Sequence, residues 1–170
     1  MMRSLAQKNQ KVYSYNTAIK RSKPSAPLKY LLDKDLLYGN ILDYGCGRGF
    51  DSEYLRGLNY SVDSYDPHWN PNGINRDSYD SIFCNYVLNV LQTDSEILSV
   101  MQKATSFLSD NGKAYFAVRR DVKKVGFTSR GFQRKVFLSA PILYEKSGSF
   151  CTYIVDKENV ASHSIRVIGS

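Results

Sequence analysis

Hydrophobic and polar positions alternate in blocks along this chain, and the blocks change period. Ile41-Leu42-Asp43-Tyr44 is a short apolar run, and Val62-Asp-Ser-Tyr65 is a second. Ser81-Ile-Phe-Cys-Asn-Tyr86 is nearly continuous apolar, as a buried parallel strand is. Lys113-Ala-Tyr-Phe-Ala-Val118 follows the same pattern, so four strands are predicted. Between them the period is helical. Leu28, Leu31 and Leu32 share one face of a short helix from Pro27. Residues 51–58 read as a crossover helix with acids in its first turn. Thr93-Asp-Ser-Glu96 is a capping box, and Ile97, Leu98, Met101, Ala104, Thr105 and Leu108 form the sheet-facing stripe behind it. Asp110-Asn-Gly112 is expected to end that helix with a turn. Pro141–Glu145 and Phe150–Val155 flank Lys146-Ser-Gly-Ser149 and predict a closing antiparallel hairpin. Strands alternating with helices predict an α/β fold: a Rossmann-like, mostly parallel sheet with helices on both faces.

One junction carries candidate chemistry. The first strand runs directly into Gly45-Cys-Gly-Arg-Gly49 and then into a helix. Gly45 and Gly47 are expected to let the backbone turn tightly and approach a ligand without a Cβ in the way. The spacing is not the dinucleotide G-x-G-x-x-G, which argues against a nicotinamide dehydrogenase. Asp43, two residues before the first glycine, points to a cofactor bearing a cation or amine.

These residues resemble the first motif of the class I S-adenosylmethionine-dependent methyltransferases. Asp43, Gly45, Gly47 and Gly49 fill that motif, with Cys46 inside it. Asp66, at the end of the second strand, matches the acid that the resemblance assigns to the ribose hydroxyls, with Pro67 next to it. Tyr79–Leu91 is similar to the fourth strand of that fold and the segment after it. The resemblance implies a minimal class I methyltransferase fold with S-adenosylmethionine as cofactor. A regular member places a helix and a third strand after Asp66. This chain has the turn-rich Pro67-His-Trp-Asn-Pro-Asn-Gly-Ile-Asn-Arg-Asp77, so the helix is expected to be reduced to a loop. Trp69 is a candidate to cover the adenine, or a loop aromatic packed on the core; Asn75 and Asp77 are weaker candidates for the adenine amino group.

Ligands bind beyond the carboxyl ends of strands in open α/β sheets. Asn85, Tyr86 and Asn89 are therefore expected near the reaction centre, with Asn85 and Tyr86 as candidate catalytic residues and Asn85 also touching the cofactor. Asn89 reads equally as a cap or turn residue. His68 is the one histidine near this site, and a loop histidine of this kind is more often structural or exposed than a base. The sequence at Asn85 is not the Asp-Pro-Pro-Tyr of many DNA amino-methyltransferases.

Charge adds a partner question. The chain has 170 residues and a formal charge of +7. Residues 1–29 hold seven Lys/Arg and no acid, and residues 119–135 hold seven with Asp121 alone. These two blocks carry +13 and the rest of the chain −6. Lys20, Arg21, Arg119, Arg120 and Arg130 are candidates for one basic rim that binds phosphate. The competing reading pairs Arg119 or Arg120 with Asp121 or Glu145. Tyr13 and Tyr15, beside this cationic arm, read either as base-stacking or as sheet-edge residues.

The arm (1–29) and the domain behind it (30–170) also carry a finer resemblance. Thr17–Pro27, Asp43–Gly49, Tyr65-Asp-Pro67, Tyr86–Val90 and Thr128-Ser-Arg-Gly131 are similar to the methyltransferases associated with DNA phosphorothioation systems. The leading expectation is thus methyl transfer to nucleic acid. The alternatives are a small-molecule or protein methyltransferase, and a catalytically inactive S-adenosylmethionine-binding module. Three cysteines without a C-x-x-C pair argue against a disulfide scaffold or zinc site and fit a reducing cytoplasm. No metal and no membrane partner is expected; oligomeric state is not legible.

Overall fold

The computed structural model describes residues 16–161 and 165–169. Tyr13 and Tyr15 lie outside them. A six-stranded sheet is built from β1 (Asn40–Tyr44), β2 (Ser61–Tyr65), β3 (Tyr79–Asn85), β4 (Leu108–Arg119), β8 (Ile142–Lys146) and β9 (Phe150–Val155). Its order is β2-β1-β3-β4-β9-β8. The first four strands are mutually parallel, and β9 is antiparallel to both β4 and β8. The predicted Rossmann-like sheet and its closing hairpin are therefore present. Two small ribbons, β5–β6 (Gly126–Thr128 with Gly131–Gln133) and β7–β10 (Phe137–Leu138 with Val167–Gly169), lie outside the sheet.

Helices cover both faces because the strands alternate their side chains. On one face Ile41, Val62, Phe83 and Tyr115 pack with Leu28 and Leu31 of α1 (Ala26–Asp33) and Leu55 of α2 (Phe50–Gly57). On the other, Leu42, Ile82, Cys84 and Phe116 pack with Ile97, Met101 and Ala104 of α3 (Asp94–Thr105). The Thr93–Glu96 capping box is formed. A short helix α4 (Lys157–Ala161) follows the hairpin.

Two local expectations need correction or extension. Asp110–Gly112 does not end α3. The helix stops at Thr105 and these residues belong to β4, where the pairing with β3 shifts register between Tyr79 and Ser81. The extra residues are absorbed as an irregularity in the ladder, so the turn chemistry of Asn-Gly serves the strand rather than a helix cap. Between β2 and β3 there is no helix, only the loop 66–78. It is folded back on β2: Asn70 donates from Nδ2 to the Ser64 carbonyl at 2.6 Å, and Asp66 and Asn70 form an isolated antiparallel bridge.

Candidate functional site

A cleft of about 480 Å³ opens at the carboxyl ends of β1, β3 and β4. Its walls come from the loop after β1, the residues after β2 and β3, Arg119 and Asp121 after β4, Gln133 of β6, and Thr17–Ile19 with Arg21 of the arm. The arm is thus part of the site. Its helix α1 starts at Ala26, capped by Ser25, inside the stretch that composition set apart as an arm.

The glycine loop is braced by backbone. Gly45 and Cys46 both donate to the Tyr65 carbonyl, at 2.7 and 2.9 Å. Gly47 donates to Asp66 Oδ2 at 3.0 Å. Both glycines turn the backbone tightly at positive φ, as expected, and the space beside them is taken by protein. Gly45 has φ +87°, and a Cβ there would sit 2.3 Å from Val87 Cγ2. Gly47 has φ +53°, and its Cβ would meet the Ala18 side chain of the arm at 3.3 Å. The missing side chains make room for protein first.

Asp66 stands between loop and cleft. Its Oδ1 accepts from the His68 and Trp69 amides at 2.9 and 3.0 Å, and its Oδ2 from Gly47. A carboxylate has about four acceptor sites, so three are used and one remains for a ligand hydroxyl. That fits the ribose of the cofactor implied by the first motif. Apolar surface from Tyr65, Pro67, Val87, Leu91 and Val100 lines the same cleft and suits the faces of a purine ring.

Asp43 is 3% exposed, and its Oδ2 accepts from the Ser52 hydroxyl at 2.6 Å. Burial pushes its carboxyl up to about 8, against the lowering effect of the Ser52 bond. Burial likewise pushes the Cys46 thiol up to about 12, with the nearby Asp43 acting in the same direction. At neutral pH Asp43 is therefore largely a neutral acid, and its role as a fixed negative charge for a cofactor amine is weakened.

Trp69 does not line the cleft. It is 38% exposed and lies under the Arg48 guanidinium, whose carbon is 4.5 Å from the ring centroid. Asn75 and Asp77 are also absent from the lining, and Asn75 donates within the loop to the Gly73 carbonyl.

At the end of β3, Tyr86 adopts φ +65°, an unfavourable region for a bulky residue that points to a constrained site. Its amide donates to the Ala117 carbonyl at 2.8 Å, and burial pushes its phenol up to about 12. The Arg21 guanidinium lies over its ring at 5.8 Å. Asn85 donates from Nδ2 to Ser25 Oγ at 3.1 Å, while its Oδ1 is buried and unpartnered. Ser25 in turn donates from its amide and hydroxyl to the two oxygens of Asp51, at 2.9 and 2.5 Å. Asn89 is structural: it is fully buried, its Nδ2 donates to the Arg134 carbonyl and its Oδ1 accepts from the Arg119 amide.

The expected basic rim is only partly assembled. Arg21 and Arg119 line the cleft, but Arg119 is paired with Asp121 through two bonds of 2.8 and 2.9 Å. That pairing holds the Asp121 carboxyl below its usual range. Arg120 is not on the rim. Its side chain is 9% exposed, and it donates to Glu145, the Val136 carbonyl and the Tyr153 hydroxyl. Both structural pairings weighed from the sequence, with Asp121 and with Glu145, therefore form. Arg130 lies in the exposed turn between β5 and β6, away from the cleft lining, and Lys20 is exposed on the arm. Ser25, Asp51 and Gln133 were not foreseen. Ser25 ahead of Pro27 is a readable cap signal, but nothing local announces its partner Asp51. Among the described residues no group of three or more His, Cys, Asp or Glu gathers as a metal site, and no helix is long and apolar enough to cross a membrane.

A family model described as a methyltransferase domain matches residues 16–153. The fold is similar to that of a protein solved in connection with the conversion of a disulfide bond into a thioacetal group during echinomycin biosynthesis. The two share 12% identity over 94% of this chain and 97% of that one, with a TM-score of 0.55. It is also similar to the 1,6-didemethyltoxoflavin-N1-methyltransferase of Burkholderia thailandensis, solved with 1,6-didemethyltoxoflavin and S-adenosylhomocysteine. Here identity is 14% over 76% of each chain, with a TM-score of 0.53. At these identities the likeness speaks for the fold alone. No curated protein matches the chain by sequence.

Proposed function

The chain belongs to the methyltransferase domain family, and from that premise we propose that it methylates a small molecule held in the cleft, with S-adenosylmethionine as cofactor. The cofactor, when bound, supplies a methyl group already activated on a sulfonium. The chain's own task is to place two reactants in line, which in favourable cases lowers a barrier by about 7–11 kcal/mol. Asp66 holds the ribose with its remaining acceptor site. The braced loop Gly45–Gly47 forms the floor, Thr17–Ile19 covers it, and Tyr86 and Arg21 flank the acceptor.

The observation that carries the small-molecule reading is the fate of the second basic block. Arg119, Arg120 and Arg134 are spent on Asp121, Glu145 and Asp94, leaving a concave cleft instead of a cationic track. The compound named for the similar Burkholderia protein, 1,6-didemethyltoxoflavin, is a small molecule, which accords with it. A second reading rests on the exposed Lys123, Lys124, Arg130 and Lys135 around the β5–β6 ribbon, together with Lys20. These suit nucleic acid, and the resemblance to the phosphorothioation-associated methyltransferases belongs with that reading.

Incubation with methyl-labelled S-adenosylmethionine and, separately, a metabolite extract, DNA and RNA separates them. Label in a low-mass product is expected. Label in DNA or RNA instead, with binding that weakens by a log–log slope of roughly 0.7–0.9 per phosphate contact as salt rises, would replace the small-molecule reading.

A further inference from the structure

The β5–β6 ribbon has two unlike faces. Its strands pair Gly126 with Gln133, Phe127 with Phe132 and Thr128 with Gly131. Positions alternate across a strand, so Thr128, Gly131 and Gln133 share one face, and Phe127 and Phe132 share the other with Val125, just before β5. The first face turns to the protein. Gly131 is buried, Thr128 is half-buried with its hydroxyl donating to the Gly131 carbonyl, and Gln133 lines the cleft. The second face turns to solvent. Val125 and Phe127 are each 56% exposed, and the Phe127 ring meets that of Phe132 edge to face at 5.4 Å.

Cations stand at both ends of this outward face. Lys123 and Lys124 precede β5 and Lys135 follows β6, at the base of the ribbon, while Arg130 sits in its turn. All four are exposed. No acid occurs from residue 122 to residue 144, and the fifth cation of that stretch, Arg134, is paired with Asp94. The preceding acid, Asp121, is paired with Arg119.

An apolar centre between cations matches the boundary of an anionic bilayer, where apolar side chains enter the acyl edge and cations meet headgroups. Nucleic acid would use the same cations, but its bases stack on open ring faces. Val125 has no ring, and Phe127 is set against Phe132. The expectation of no membrane partner rests on the lack of a spanning run, and lying on a bilayer needs none.

We propose that this ribbon docks the protein on an anionic lipid surface, with Val125 and Phe127 entering the interface and Lys123, Lys124, Arg130 and Lys135 meeting the headgroups. Because Gln133 on the opposite face lines the cleft, docking brings one wall of the cleft to the bilayer. The docking is independent of the methyl acceptor, so vesicles alone test it.

Co-sedimentation of the full chain with vesicles is the test. At about 0.1 M salt, phosphatidylcholine vesicles with about one-third phosphatidylserine are expected to bind at least about tenfold more strongly than phosphatidylcholine alone. Lys123→Gln with Lys124→Gln is expected to weaken binding to the anionic vesicles about 25-fold, about fivefold for each cation near the surface. Val125→Ser with Phe127→Ser keeps every cation and is expected to weaken it about tenfold or more, since less apolar surface enters the interface. Circular dichroism checks that each variant is folded, and either pair serves if the other is not. No preference for anionic vesicles overturns the proposal. So does unchanged binding in the lysine pair, which would assign the attraction to the basic arm, and so does unchanged binding in the serine pair, which would leave charge without insertion. Tight binding of a single-stranded oligonucleotide that both pairs abolish, with vesicles left unbound, overturns it in favour of nucleic acid.

Discussion

The two sides of the cleft are built in different ways. On the β1–β2 side, backbone amides close on one carbonyl and one carboxylate: Gly45 and Cys46 donate to the Tyr65 carbonyl, and Gly47, His68 and Trp69 donate to the Asp66 side chain. On the β3–β4 side, side chains from remote segments meet: Asn85 with Ser25 and Asp51, Arg21 with Tyr86, Arg119 with Asp121. The first side is a rigid platform suited to a constant ligand. The second is a set of replaceable side chains suited to a particular acceptor. Under the proposed function, the constant cofactor meets a loop braced by backbone amides and the particular acceptor meets side chains.

The largest effect should come from the acid beneath the platform. The Asp43 carboxyl is raised in the folded chain to about 8, well above its ordinary value of 3.8. Between those values the unfolded chain has lost a proton that the folded chain keeps, so stability falls as pH rises from about 4 to about 8. The slope reaches at most about 1.4 kcal/mol per pH unit. Urea midpoints from pH 5 to pH 8 are expected to show that decline, and Asp43→Asn to flatten it. An unchanged decline in the variant would place its source elsewhere.

Next in size, Gly45→Ala puts a Cβ against Val87 at a left-handed φ. Strain and overpacking together cost about 2–5 kcal/mol. Denaturant unfolding measures it; a loss below about 1 kcal/mol would mean that the platform is less rigid than its bonds imply.

Asp66→Ala removes the proposed ribose contact and three amide braces at once. S-adenosylhomocysteine affinity is expected to drop by about 1.5–3 kcal/mol, read by calorimetry on the folded variant. Unaltered affinity would detach the platform from the cofactor.

On the side-chain side, Arg119→Ala breaks a partly exposed ion pair. Its cost to stability is expected to be at most about 1 kcal/mol. Its adjacent neighbour Arg120, buried under three acceptors, is expected to cost about 2–3 kcal/mol when truncated. Thermal or urea denaturation of the two variants in parallel checks the contrast, and equal costs would erase it.

Much of the platform was legible along the chain. Its strand and glycines are contiguous, and Asp66 leads directly into its turn-formers; the bonds from Gly45, Cys46 and Gly47 to Tyr65 and Asp66 follow from the parallel pairing of β1 with β2. The Asp66–Asn70 loop in place of a helix could be read from Pro67, Asn70, Pro71 and Gly73. The reading of Asn-Gly at 111–112 went astray because the same dipeptide serves a helix end and a strand irregularity, and only the β3–β4 register separates them.

The acceptor side was legible only as residue types. Asn85 could be placed at a strand end, but its orientation depends on Ser25, 60 residues away, and on Asp51, 26 residues from Ser25. Arg119 and Arg120 are adjacent in sequence, yet at the end of β4 one goes to the cleft and the other into a buried cluster with Glu145 and Tyr153. The α/β class, the glycine loop and the acid at the end of the second strand can be read from the sequence, because short-range periodicity and turn chemistry encode them. Which arginines stay free, and which way an amide oxygen points, only the tertiary structure decided, because hydrogen-bond partners brought together by folding leave no trace in local spacing.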